Sequence, residues 1–370
     1  MHVYRILALF MCSFACLAAD LTPQAAMKKG AEYLASLQNE NGSYGKSPNP
    51  PPAISALAAL GMHDCSDQVE TAVTRSMVFA LGYKQEDGSI YPAEWSKKSS
   101  ANYPNYTTSI VLLAMATIDR PEYLPLMKAA RAYLKSSQFN DPSKVDFGGI
   151  GYGKTGRADL SNGSWAAEAL HYTEHLESPD GPEAKKTDQM WKEMAIFLTK
   201  CQNLPEFNKE EYVSSHEEDL GGFIYRPNES KAGSQDGEGA ISNLISSGSM
   251  TYAGLKSMIY ARLKKNDPRV KGAIDYLSRN WTLEENPGMG MQGLYYYLLT
   301  MAKALDAYGA DTITDADGKV HDWRQEVTEK LLSMQREDGS WVNENGRFME
   351  SLPELSTSYA LMTLKVTAKK

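Results

Sequence analysis

Along most of this chain two kinds of apolar pattern take turns. Residues 23 to 38 place Ala26, Tyr33, Leu34 and Leu37 on one side and Lys28, Lys29 and Glu32 on the other, the stripe of a helix with one wet face. Residues 52 to 61, PAISALAALG, have no charged face, so a helix there must be covered all round. The same alternation returns over 67 to 84 then 105 to 118, 121 to 138 then 160 to 175, 186 to 202 then 248 to 264, 267 to 281 then 290 to 308, and 322 to 336 then 354 to 367. It predicts twelve helices with almost no strand. An inner ring of six charge-poor helices wrapped by six amphipathic ones buries both kinds, and closing the ring leaves no exposed terminal repeat.

Each amphipathic segment ends in a recurring joint. QNENGSYG begins at Gln38, QEDGSIY at Gln85, CQNLPEF before DLGGFIY carries Gln202, and QREDGSW begins at Gln335. Weaker copies are SSQFNDP before DFGGIGYG, carrying Gln138, and WTLEENPGMGMQG from Trp281. Gly42, Gly88 and Gly339 supply the positive φ that stops a helix, the neighbouring Asn or Asp tolerates the turn, and Ser43, Ser89 and Ser340 bond local backbone. Tyr44, Tyr91 and Trp341 then pack apolar area between hairpins.

These joints resemble those of the prenyltransferase and squalene oxidase repeat family, whose QxxDGSW signature is matched from Gln335 to Trp341 and nearly matched from Gln85 to Tyr91. The resemblance spans essentially the whole mature chain and looks closest to secreted bacterial members that pair GGFIY with GSMTYAGLKSMIYA and ENPGMGMQGLYYY. It implies an all-α (α/α)6 toroid, the architecture of squalene–hopene cyclase domains and protein prenyltransferase β subunits, with a small apolar or isoprenoid ligand in the central cavity. It carries no catalytic residue across. Terpene cyclisation by alkene protonation uses a DxDD motif, which is missing; the nearest strings are HEED at His216 to Asp219 and DADG at Asp315 to Gly318, the latter read as a turn. The zinc set of an Asp, a Cys two residues later and a distant His is missing too, so no metal and no cofactor is assigned. The string GGIGYGKT from Gly148 fits a phosphate loop in spacing, but a helix rather than a strand precedes it.

The first twenty residues stand apart. His2 and Arg5 lead, an apolar run covers Ile6 to Leu17, and Ala18 and Ala19 precede Asp20, which reads as a signal peptide over 1–19, with residues 20–370 as one toroid domain. About twelve apolar residues are too few to span a bilayer, and no later segment is long and apolar enough to try. An exported protein, periplasmic or extracellular, is expected. Lipid anchoring at Cys16 is disfavoured because Ser13 stands where an aliphatic residue is needed. The chain carries 38 basic and 46 acidic residues, a formal charge of -8 that argues against nucleic acid as a partner. Cys65 and Cys201, the cysteines that survive export, either pair or remain separate buried thiols.

Two groups of residues are the candidates for function. If every joint feeds an inner helix, the six inner N-termini and their dipoles open at one mouth of the toroid. Lys154, Arg157, Tyr225, Arg226 and Lys231 lie in joints at that end, either holding an anion or serving as solvated loop charges. The long connection from 203 to 247 lies there as well and has the length of a lid; a metal site built on His216 with Glu217 or Asp219 is weaker than a solvated acidic loop. For the cavity the candidates are Asp159, Asn162, Glu168, His171, Tyr252, Tyr295, Tyr296 and Glu350. Asp159 and Asn162 are equally suited to capping, and the spacing of Glu168 and His171 suits general acid–base work if they share a wall. Tyr295 to Tyr297 point three ways, so at most two share the cavity. Two other functions remain open: a carbohydrate-active enzyme with paired carboxylates, and a noncatalytic scaffold with a filled lumen.

Overall fold

The computed structural model describes residues 22–46, 51–94 and 103–369; the leader with Cys16 lies outside them. Among the described residues twelve α-helices occupy the places the alternation predicts. The outer set is α1 (Pro23–Leu37), α3 (Glu70–Leu81), α5 (Leu124–Lys135), α7 (Pro182–Lys200), α9 (Pro268–Arg279) and α11 (Trp323–Met334). The inner set is α2 (Pro52–Met62), α4 (Pro104–Ile118), α6 (Leu160–Tyr172), α8 (Gly248–Tyr260), α10 (Leu294–Tyr308) and α12 (Pro353–Thr367). Local chemistry sets the starts. Proline occupies the first turn of most of these helices, where a missing N–H costs nothing, and Thr22, Asp159, Asp267 and Asp322 accept from backbone N–H groups in the first turn.

Packing follows the predicted double wall. Each inner helix contacts the next, and α12 packs on α2, so the inner ring closes; α1 packs against α11 and α12, so the outer ring closes as well. Every described residue of α2 is buried, as is nearly all of α4, α6, α8 and α12, while each outer helix buries one stripe. The result is an all-α (α/α)6 toroid. Two short strands, β1 (Ile313–Thr314) and β2 (Val320–His321), form a hairpin around the DADG turn, where the Asp315 carboxylate accepts from the N–H groups of Asp317 and Lys319.

The joints explain why Gln and Gly recur. Gln38, Gln138, Gln202 and Gln335 donate from Nε2 to the carbonyls of Ala72, Met190, Arg269 and Ala26, each in the following outer helix. Gln335 reaches α1 and so fastens the last repeat to the first. In every joint but that at Trp281 a glycine lies flat on the following outer helix: a Cβ on Gly148 would stand 1.9 Å from the Glu193 carbonyl oxygen, and one on Gly339 2.7 Å from that of Lys29, with φ of +83° and +95°. Gln85 differs, bonding the carbonyls of Tyr83 and Tyr91 within its own joint. The Trp281 joint lacks the Gln; Asn286 takes over, bridging to the backbone and side chain of Ser249 at the start of α8.

The 203–247 connection is fastened to the body. Asn203 donates to the Leu244 carbonyl and accepts from the Ser214 N–H, Asp219 accepts from Ser246 N–H and Ser214 Oγ, and Tyr212, Ile224 and Leu244 form a small apolar cluster. Asp219 is therefore a buried structural anchor while His216 is exposed. Among the described residues no group of three His, Cys, Asp or Glu side chains is placed to hold a metal, and no helix is long and apolar enough to cross a membrane. Cys65 and Cys201 are free thiols.

Candidate functional site: an aromatic lumen over a buried ion triad

Because the inner helices are apolar on every side, tertiary contacts alone reveal which face looks inward. In the body of α12 traces of accessible surface survive at Leu355, Tyr359 and Met362, positions i, i+4 and i+7 of one stripe. The matching stripe of α6 carries Ser161, Trp165 and Glu168, and that of α10 carries Tyr296 and Lys303. Tyr106 of α4 and Tyr296 are enclosed by protein yet keep accessible surface.

These side chains meet across the ring. The Tyr296 ring lies 6.0 Å from that of Tyr359 and 6.5 Å from that of Trp165. Its hydroxyl bonds Ser161, and the Tyr106 and Tyr359 hydroxyls bond each other. Burial pushes the Tyr106 phenol up to about 12, and burial likewise raises Tyr296 and Tyr359, so all three stay neutral donors. Tyr296 with Trp165 and Tyr106 with Tyr359 join helices that are not neighbours in the ring, and together with the Tyr296–Tyr359 contact they form an aromatic wall that narrows the lumen.

Beneath that wall lies a charge cluster. Glu168 on α6 pairs through one oxygen with Lys256 on α8 and through the other with Lys303 on α10. Both ammonium groups also stand over the Trp165 ring, at 5.6 and 4.9 Å from its centre, a cation–π arrangement. Burial by itself would raise the Glu168 carboxyl, but the charges of Lys256 and Lys303 outweigh it and hold the group down to about 2. Burial acts in the opposite sense on Lys303, lowering its ammonium to about 8 against the pull of Glu168. The triad carries one net positive charge in a dry place. At the C-terminal end of α6 His171, an exposed residue rather than a cavity one, stacks on Tyr260 at 4.3 Å, and Tyr172 meets the same ring edge-on at 6.4 Å.

The other sequence candidates occupy varied places. Asp159 is the buried cap of α6, accepting from the N–H and Nδ2 of Asn162 and from the Tyr225 hydroxyl. Burial raises its carboxyl to about 6 despite those bonds. Tyr152 joins the same group through Tyr225 and Asn162. Glu168 and His171 do not act as a pair, since lysines take both carboxylate oxygens and the imidazole stacks on Tyr260. Tyr252 packs against Tyr297, its hydroxyl without a hydrogen-bond partner among the described residues. The three consecutive tyrosines do diverge: Tyr296 faces the lumen, Tyr297 donates to the Thr282 carbonyl, and Tyr295 lines an outward cleft of about 450 Å³ with Met291, Met334 and Val342. Glu350 is fully buried and accepts from the N–H groups of Tyr295 and Tyr296. It caps α10 from 55 residues away because the local cap, Gly293, has no side chain to do so.

At the mouth, Glu229 gathers Arg157, Arg226 and Lys231, with the Lys231 ammonium also 4.5 Å over the Tyr225 ring. Lys154 is apart from them, over the Tyr133 ring at 4.5 Å. Four of the five predicted mouth residues are thus brought together, around a carboxylate that neutralises part of their charge. Sequence reasoning missed Lys256, Lys303, Trp165, Tyr106 and Tyr359. The lysines did leave a signal: Lys256 is the lone charge of α8, Lys303 shares α10 only with Asp306 near its end, and a charge in so apolar a helix must find a partner.

Comparison with solved structures gives the same architecture. A substituted form of the type II terpene cyclase MstE from Scytonema, in complex with its substrate geranylgeranyl dihydroxybenzoate, matches with a TM-score of 0.53 at 13% identity, covering 94% of this chain and 98% of that one. A protein from Actinoplanes matches with a TM-score of 0.50 at 11% identity, covering 94% of this chain and 100% of that one. No family model and no curated protein sequence matches the chain. At such identities the likeness is one of fold, and the chain has a terpene-cyclase-like helical toroid.

Proposed function

We propose that this protein is an exported toroid that binds an elongated apolar ligand of the isoprenoid class along the aromatic side of its lumen, and that it does not cyclise it. The observation that carries the reading is the convergence of Tyr106, Trp165, Tyr296 and Tyr359 from four inner helices on the inward side of the ring. Aromatic faces bury large apolar area while their neutral hydroxyls orient a polar end. The isoprenoid class is favoured by the repeat signature at Gln335 to Trp341 and by the geranylgeranyl substrate of the Scytonema cyclase that shares the fold. Export is favoured by the leader pattern from His2 to Asp20.

Physical chemistry argues against cyclisation. Protonating an alkene demands a strong, protonated acid at the lumen. Glu168 is held ionised by two lysines, whereas Asp159 and Glu350 are pushed upward by burial and are weak acids. A carbocation also needs free π faces, and the Trp165 face already carries two ammonium groups. The test is to incubate the full chain with geranylgeraniol, measure binding by calorimetry, and extract the bound material for gas chromatography and mass spectrometry. Saturable binding with recovery of the unchanged alcohol is expected. Absence of binding overturns the ligand class, and recovery of a cyclised product overturns the exclusion of catalysis.

A further inference from the structure

The buried triad is composed unlike a structural ion pair: two amines share one carboxylate, and the three groups come from three different helices. One positive charge is left over in a site walled by Trp165, and the least costly relief is for one ammonium to give up its proton. The geometry selects which. The side chains of Glu168 and Lys256 are each 3% exposed, whereas that of Lys303 is 11% exposed, so of the three Lys303 is the most open to an incoming group. The charged groups facing it are Glu168 from α6, Lys256 from α8 and Lys369 beyond α12; Tyr260 and Asp306 lie in the same field. Burial first, and the Lys256 charge with it, hold the Lys303 ammonium down to about 8 against the pull of Glu168, so it stays mostly charged at neutral pH while a neutral fraction becomes accessible. The neutral fraction of an amine set beside an aromatic ring is a nucleophile for carbonyl carbon.

We propose that Lys303 is a lumen nucleophile that condenses with the aldehyde group of an apolar ligand to form an imine, with Glu168 as counter-ion and Lys256 as proton carrier. The Nζ lone pair of Lys303 forms a bond to the carbonyl carbon. The nitrogen sheds its two protons over the sequence while the carbonyl oxygen acquires two, relayed through the Lys256 ammonium, and the C–O bond breaks as water departs. No oxidant or reductant is consumed. Glu168, too strong an acid to hold a proton at neutral pH, stays as the carboxylate that offsets the charge of the iminium form. The aromatic wall admits the apolar tail, so an apolar aldehyde is selected over a hydrophilic one. This inference rests on the lumen being the ligand site proposed above.

At pH 7 an amine of pKa about 8 has on the order of a hundredfold more neutral form than an ordinary lysine near 10.4. The test exposes the full chain to farnesal with cyanoborohydride, which freezes an imine as a secondary amine, followed by peptide mapping. One adduct per chain, at Lys303, is expected, with a trapping rate that is half-maximal near pH 8 and is suppressed by geranylgeraniol. Lys303→Arg keeps a cation for Glu168, so its fold is checked by circular dichroism, and it is expected to lose the adduct. Lys256→Arg is expected to retain the adduct at a slower rate. Label spread over surface lysines, equal labelling by glyceraldehyde at Lys303, or an adduct that persists in Lys303→Arg overturns the proposal. If geranylgeraniol binds but farnesal is not trapped at Lys303, the covalent step fails and the binding reading stands; if neither ligand binds, both fail.

Discussion

Replacing Glu168 by Gln keeps the shape of the side chain and removes the one negative charge between two buried ammonium groups. Breaking a buried pair by deleting one partner costs about 3–5 kcal/mol, because an uncompensated charge is left in a dry site. The wild-type carboxyl, held down to about 2, contributes stability that is present above its ordinary value of about 4.3 and is lost as pH falls toward 2. In Glu168→Gln the pattern changes on the alkaline side. Burial and the Lys256 charge then act on Lys303 unopposed, so its ammonium falls further below about 8. From that depressed value up to the ordinary lysine value near 10.4, the folded variant binds fewer protons than the unfolded chain, and stability rises with pH by up to about 1.4 kcal/mol per unit. Wild type gains in the same sense but over a narrower window, from about 8 upward. The penalty of the substitution therefore shrinks by about 2 kcal/mol between pH 6.5 and pH 9. Urea denaturation of both proteins at the two pH values measures it. A penalty under about 1 kcal/mol at pH 6.5, or one that is the same at both pH values, would refute the assignment of a buried, net-positive triad.

Two further outcomes test the frame around the lumen. Gly148→Ala and Gly156→Ala both place a side chain at positive φ, of +83° and +100°, but the first Cβ would stand 1.9 Å from a backbone oxygen while the second meets open space. The strain common to both is about 1–2 kcal/mol, so Gly148→Ala should cost about 4 kcal/mol or more and Gly156→Ala no more than about 2, as read from denaturant midpoints. Asp159→Asn keeps a good helix cap but cannot ionise. The folded carboxyl lies near 6, above its ordinary value, so wild-type stability is fullest below that ordinary value and is lost as pH rises toward 6, at a cost of order 3 kcal/mol. The Asn variant should melt higher than wild type at pH 7.5 and lose this advantage at pH 4; a lower melting temperature at both pH values would show that Asp159 is not buried in charged form.

What the sequence alone determined was the architecture. Alternation of one-sided and all-round apolar helices requires two nested layers, because a segment such as PAISALAALG has no face to give to water. The Gln and Gly of each joint were legible as turn chemistry, although the sequence did not disclose that Gln335 ties the last repeat to α1. The inward face of the inner helices was hidden for the same reason that those helices were easy to recognise: a helix apolar all round has no moment to point with. Tyr106 and Tyr359, 253 residues apart in sequence, therefore became lumen partners only through the closure of the ring. The triad depended on tertiary structure for a second reason. Glu168 meets Lys256 and Lys303 across 88 and 135 residues, separations at which no helical or strand periodicity carries information. Sequence supplied three charges in largely apolar helices; the closure of the ring decided that they would meet beside Trp165.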